Sequence, residues 1–186
     1  MATYDQLIEW AGLGHVTRAR EDVVVGWQIP DSAKAQLVEV GIPVAPRLIE
    51  RVVMQSEADP VLLTSRGPLY RLTEQADPDD PAERSSFGIE PETGAVYFVM
   101  PDREAWFANS SVYAWLDVVN RYGSRVTASE LLSEPDGPEE YLSEEEEEWA
   151  FAELSQLAEE LKEIDPAAFK GHEGFLWPGF LDRWLY

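Results

Sequence analysis

The chain has 186 residues, no cysteine, and a formal net charge of −22 at pH 7. Without cysteine it can form neither a disulfide framework nor a thiolate metal site, and its charge disfavours nucleic acids and anionic membranes as partners. Hydrophobic residues make up 45% of the sequence, with seven each of Trp, Tyr and Phe. This is too apolar for a disordered chain and predicts one folded domain spanning residues 1–186.

The amino terminus shows no basic segment followed by an apolar one, so we expect no signal peptide. The longest apolar runs, such as residues 96–100, are far shorter than the roughly 20 residues of a membrane-spanning helix. A soluble, cytoplasmic protein is therefore expected.

The first predicted element is a short helix with a capping box. Thr3 and Gln6 have the spacing of that motif, and Gly12 is placed to end the helix. Residues 23–29 are rich in β-branched side chains and predict a strand that ends at Pro30.

A second helix is predicted to follow this strand. Asp31 or Ser32 is suited to cap its start, and Gly41 with Pro43 just beyond it is a typical helix end. The sequence therefore predicts two helices before the β-rich region.

The middle of the chain changes to β-branched and aromatic segments separated by turn signals. Gly67 and Gly94 lie in natural hairpin connections, which join antiparallel strands. We predict an α+β fold with an antiparallel β-meander of about six strands, flanked by amino- and carboxyl-terminal helices. The strand segments are residues 47–55, 61–64, 69–73, 87–90, 95–100 and 104–107.

Two further helices are predicted after the sheet. Asn109 is suited to cap the first of them, with Gly123 as its end. Ser143 and Glu146 form a capping box for the second, which ends at Asp165. The second helix carries a single apolar stripe that we expect to face the core, made of Ala150, Leu154, Leu157, Leu161 and Ile164.

The acidity is concentrated at the carboxyl end. Residues 130–186 contain 17 Asp and Glu against 3 Lys and Arg, a net −14. One interpretation is a solvated helix start, since first-turn carboxylates interact favourably with the helix dipole. The other is a surface that binds a basic protein, with Trp149 either as an anchor or packed under the preceding loop. The predicted partner-binding residues are Glu139, Glu140, Glu144, Glu145, Glu146, Glu147, Glu148 and Trp149.

Motifs for catalysis are lacking. Neither His15 nor His172 has metal-ligand spacing, and the Gly12-Leu13-Gly14 segment does not fit a dinucleotide-binding motif. The 36 acids are too many for any pair of them to be informative. We predict no catalytic, cofactor-binding or metal-binding residue and no enzymatic activity. A hydrolase with two carboxylates stays open as a further class; it would need a raised carboxyl pKa in a cleft.

Four stretches resemble the SUKH superfamily of bacterial immunity proteins, most closely its fourth subfamily. They are residues 41–43 (GIP), the hairpin at residues 87–97, residues 106–111 (WFANSS) before a helix, and residues 165–169 followed by 175–178. The residues that carry this pattern have an expected structural role; they are Gly41, Pro43, Gly94, Asn109, Ser110 and Trp177.

The resemblance implies a protein that binds and neutralises a cognate toxin domain, often a nuclease or nucleic-acid deaminase. It implies no catalytic residues. The acidic surface suggests a partner with a basic surface. The alternative is a regulatory module of the same fold that binds a protein or a small ligand and has no toxin partner.

Overall fold

A computed structural model describes residues 1–54, 62–76, 83–132 and 143–182. The elements in chain order are α1 Tyr4–Ala11, β1 Val16–Thr17, α2 Glu21–Val24, α3 Asp31–Glu39, β2 Ile42–Pro43, β3 Arg51–Val52, β4 Leu62–Thr64, β5 Gly67–Arg71, β6 Thr73–Ala76, β7 Arg84–Ile89, β8 Val96–Val99, β9 Ala105–Asn109, α4 Val112–Ala128, α5 Glu144–Ile164, a 3-10 turn at Pro166–Phe169, and α6 Leu176–Asp182.

Strands β3 to β9 form one antiparallel sheet, which confirms the predicted α+β architecture. β5 and β6 both pair with β7, so that Tyr70 lies opposite Ile89 and Gln75 lies opposite Ser85. β4 pairs with β5, and β3 pairs with β6. β8 pairs with β7, and β9 pairs with β8, which continues the meander. β1 and β2 form a separate antiparallel pair that was not predicted.

A β-bulge joins β5 to β6. The Leu72 N–H donates to the Phe87 carbonyl at 2.8 Å, and the Phe87 N–H donates to the Thr73 hydroxyl at 3.0 Å. A side-chain oxygen thus satisfies a buried amide where the ladder is interrupted. The strand predicted at residues 69–73 ends at this bulge, and β6 beyond it was not predicted.

The two predicted hairpin connections are present. Gly67 and Gly94 have φ of 125° and 75°, which are left-handed conformations that favour glycine. A Cβ on Gly94 would also lie 3.0 Å from Pro30 Cδ. The hairpin between β7 and β8 therefore packs directly against the start of α3.

The helix α4 packs against the sheet and contributes nine buried residues to the core. Its Trp115 is fully buried, with its ring centroid 5.1 Å from that of Phe87. The predicted end at Gly123 is wrong, because α4 continues to Ala128. A Cβ on Gly123 would lie 2.3 Å from the ring of Trp10, so this glycine makes room for α1 against α4.

The strand predicted at residues 23–29 is also wrong. The short helix α2 occupies the start of this segment, and no described strand follows it before α3. Trp27 instead stacks on Tyr70, with centroids 4.7 Å apart, and the Gln28 N–H donates to the Tyr70 hydroxyl at 3.0 Å. Trp27 is therefore buried by stacking on the sheet rather than by joining it, while Val25 is 65% exposed.

Helix α3, which was predicted as the second helix, begins and ends close to the predicted positions. Neither Asp31 nor Ser32 caps it, since the capping residue is Pro30, which makes no side-chain hydrogen bond. Gly41 follows its end with φ of 85°, and a Cβ there would lie 2.8 Å from a carbonyl oxygen of β1. Pro43 lies in β2 and pairs with β1. Gly41 therefore lets the chain turn closely past β1.

Candidate functional site

The predicted acidic surface lies at the first turn of α5. The Glu146 N–H donates to Ser143 Oγ at 3.3 Å, and the Ser143 N–H donates to Glu146 Oε2 at 2.8 Å, which confirms the capping box. The side-chain and backbone hydrogen bonds from Ser143 hold the pKa of Glu146 below its usual value. Glu146 therefore serves to cap the start of the helix.

The other four carboxylates at the start of α5 face solvent. Glu144, Glu145, Glu147 and Glu148 are exposed, and none forms an ion pair with a described Lys or Arg. We call these four residues the acidic turn. Like charges this close repel one another, and a partner with positive charge would relieve that repulsion.

Two aromatic side chains lie beside the acidic turn. Trp149 is 57% exposed and Phe151 is 63% exposed, whereas Ala150 between them is fully buried. At about 100° per helical residue, the two rings lie on opposite flanks of the helix, roughly 200° apart. The described residues leave Trp149 largely exposed, and its role as an anchor for a partner stays a prediction. The exposure of Phe151 was missed, because its spacing placed it beside the core stripe.

The acidic turn projects from a helix that is fixed to its neighbour. Glu160 accepts hydrogen bonds from Arg121 at 3.3 Å and from Arg125 at 3.4 Å, both on α4. The Ser129 hydroxyl donates to the Glu153 carboxylate at 2.6 Å. The predicted stripe is buried in the core at Ala150, Leu154, Leu157 and Leu161, with Ile164 half-buried. Glu139 and Glu140 lie outside the described residues.

The opposite end of α5 contains a buried polar network. Asp165 Oδ2 accepts from the Ser110 N–H at 2.7 Å and from Asn109 Nδ2 at 3.1 Å. The Trp177 indole N–H donates to Asn109 Oδ1 at 3.0 Å. Asp165 Oδ1 accepts from the Ala167 N–H at 3.2 Å. The network joins β9, α5, the 3-10 turn and α6.

The prediction that Asn109 caps a helix is therefore wrong. Asn109 is the last residue of β9 and is fully buried, while Ser111 caps α4 by accepting from the Ala114 N–H at 3.1 Å. Both residues are good capping types. The choice between them depends on Asp165, which was predicted only to end α5.

Among the described residues, neither histidine belongs to a group that could hold a metal ion. His15 Nδ1 lies 2.8 Å from the Ala11 carbonyl oxygen, and His172 Nδ1 lies 3.3 Å from the Asp182 carboxylate; both histidines are exposed. Within residues 1–54, 62–76, 83–132 and 143–182, no group of three or more His, Asp and Glu could hold a metal ion. No helix in these ranges has the length and apolarity needed to cross a membrane.

Comparison with known families gives a match over nearly the whole chain. The family model described as SUKH-4 immunity protein matches residues 2–183. Comparisons with curated proteins and with solved structures gave no match. The matched range includes the sheet, the helices that precede and follow it in the chain, and the acidic turn. The chain therefore belongs to the SUKH-4 immunity protein family.

Proposed function

We propose that this protein is a non-enzymatic immunity protein that neutralises a cognate toxin domain acting on nucleic acid, a nuclease or a deaminase. It does so by covering the toxin's basic substrate site with the acidic turn and the adjoining Trp149. Membership of the family supports an immunity role and a toxin partner. The class of toxin and the mode of binding are our proposal.

The observation that carries this proposal is the acidic turn beside Trp149 on an anchored helix. A protein that acts on nucleic acid needs cationic residues to bind phosphates, and these residues attract a negative surface. Electrostatic attraction of this kind raises the association rate, while an aromatic anchor slows dissociation. The acidic turn and Trp149 thus provide both parts of a tight complex.

The test measures association with the proposed cognate toxin domain. The four acids of the acidic turn are changed together to Gln, and Glu146 is kept so that the helix start is preserved. We expect association to slow by about tenfold at low salt and its salt dependence to flatten. Stopped-flow fluorescence at two ionic strengths measures both effects.

A matched control separates a local contact from the change in net charge. Glu9, Glu39, Glu104 and Glu173 are exposed acids on other parts of the chain, and changing all four to Gln alters the charge equally. We expect a much smaller effect from this control. If both sets slow association equally, or if neither does, the acidic turn is not the contact surface.

A further inference from the structure

The two exposed aromatic side chains of α5 lie on flanks with different surroundings. Glu160 accepts hydrogen bonds from Arg121 and Arg125 of α4, so its flank of α5 faces α4. At about 100° per residue, Trp149 lies about 20° from Glu160 around the helix, on that same flank. Phe151 lies about 180° from Glu160, on the flank away from α4. The two rings therefore mark opposite sides of the helix.

A negatively charged arc lies between the two rings on the solvent side of α5. Ala150 is fully buried, so the direction opposite to it points to solvent. Measured across this side, Phe151 and Trp149 are about 160° apart. Three exposed acids of the acidic turn project between them, and these are Glu144, Glu145 and Glu148. The first two turns of α5 thus present a charged crest, the line opposite Ala150, between two apolar sides.

This arrangement decides the shape of a partner surface that can contact both rings. A helix with its side chains is about 10–12 Å across, so side chains about 80° from the outward direction end about 4–5 Å below the crest. A flat surface that rests on the crest would miss both rings, since an apolar contact needs heavy atoms within about 4.5 Å of each other. A groove about 10–12 Å wide would contact the crest and both flanks at once.

The charges and the rings also define the chemistry of such a groove. Positive charges at its floor would relieve the repulsion among the acids on the crest. Apolar or aromatic side chains on its walls would cover Trp149 and Phe151. Grooves that bind nucleic acid strands have this composition, because they combine cationic groups for the phosphates with aromatic side chains for the bases.

We propose that the toxin domain receives the first two turns of α5 in a groove that has cationic groups at its floor and apolar or aromatic side chains on both walls. Trp149 contacts one wall and Phe151 the other, so Phe151 is a second anchor and helps to decide which toxin fits. This inference rests on the proposed function and extends the contact surface to the flank of α5 away from α4.

The test measures dissociation from the immobilised cognate toxin domain by surface plasmon resonance. Phe151→Ala should speed dissociation by about tenfold and leave association nearly unchanged, because it removes a ring and no charge. Ala is the better helix former at an exposed position, so α5 should stay folded, which circular dichroism checks. Val25→Ala is the control, since Val25 is 65% exposed next to α2. It should change dissociation by less than about twofold.

A second pair of measurements tests whether the toxin contacts both flanks. Trp149→Ala alone should also speed dissociation, and combining it with Phe151→Ala should multiply the two losses of affinity to about 300-fold, because the rings are on opposite sides of the helix. A flat partner that leans on one flank would make one of the two substitutions silent.

The outcomes separate this inference from the function on which it rests. If either single substitution changes dissociation by less than about twofold in a folded variant, the groove is overturned. The immunity function would then stand, with a contact limited to the acids and one ring. If the acidic-turn substitutions leave association unchanged, the proposed contact surface is overturned, and the groove with it.

Discussion

The two ends of α5 both carry carboxylates, yet they use them in opposite ways. At its carboxyl end, Asp165 is 4% exposed and accepts three hydrogen bonds from protein groups. At its amino end, the acidic turn is exposed and forms no ion pair with the described cations. Burial and hydrogen-bond partners therefore decide whether an acid serves the fold or remains available to a partner. The number of acids in the sequence does not decide it.

The largest effect on stability is expected when the hydrogen bonds at the buried carboxyl end of α5 are removed. Asp165→Ala leaves the buried Asn109 amide and the part-buried Ser110 N–H without their acceptor. We expect a loss of about 2–4 kcal/mol in the free energy of unfolding. Urea denaturation followed by fluorescence measures it. Asp165→Asn keeps one acceptor oxygen and should cost clearly less. A loss from Asp165→Ala no greater than that from neutralising the acidic turn would remove the contrast between the two ends.

Trp149→Ala should act on binding and leave stability nearly unchanged. We expect a loss of about 2 kcal/mol in the free energy of binding to the toxin domain, roughly 30-fold in affinity and mostly through faster dissociation. The free energy of unfolding should change by no more than about 0.5 kcal/mol, because the side chain is largely exposed. Leu63→Ala is the control, since Leu63 is 60% exposed on β4. Equal losses of affinity in both variants would mean that Trp149 is not an anchor.

The smallest effect on stability is expected from the capping box that starts α5. Ser143→Ala removes the two hydrogen bonds that the Ser143 hydroxyl makes with Glu146. It should lower the melting temperature by roughly 2–4 °C at neutral pH. Because the pKa of Glu146 is lowered in the folded state, its stabilising contribution is present above the usual carboxyl pKa. That contribution is lost as the pH falls through the folded value. The difference in melting temperature between wild type and Ser143→Ala should therefore shrink on acidification, and thermal scans at several pH values will show whether it does.

Features set by neighbours in sequence could be predicted, and those set by distant contacts could not. The capping boxes at Thr3 with Gln6 and at Ser143 with Glu146 depend on residues three apart, so their spacing is visible in the sequence. The role of Asn109 depends on a residue 56 positions later.

The same reasoning applies to the two wrong element predictions. Gly123 has the residue type of a helix end, but its environment is set by Trp10 on another helix. Residues 23–29 have the composition of a strand, yet Trp27 finds a stacking partner in Tyr70. Local propensity was overridden in both places by aromatic packing between elements distant in the chain.

The candidate site could be predicted in part for the same reason. Charge and helix start are local properties, so the acidic turn was located from the sequence. The exposure of Trp149 and Phe151 depends on which elements cover them, which no local pattern encodes.

The buried network has a consequence for the order in which the chain can fold. Asn109 is synthesised 56 residues before Asp165 and 68 residues before Trp177, which are two of its hydrogen-bond partners. Until both have left the ribosome, the end of β9 must stay hydrated, because an unpaired buried amide is costly. The hydrogen bonds at the end of β9 are therefore completed only after α6 has been made. A nascent chain that ends before Trp177 should remain open at this point and be sensitive to proteases.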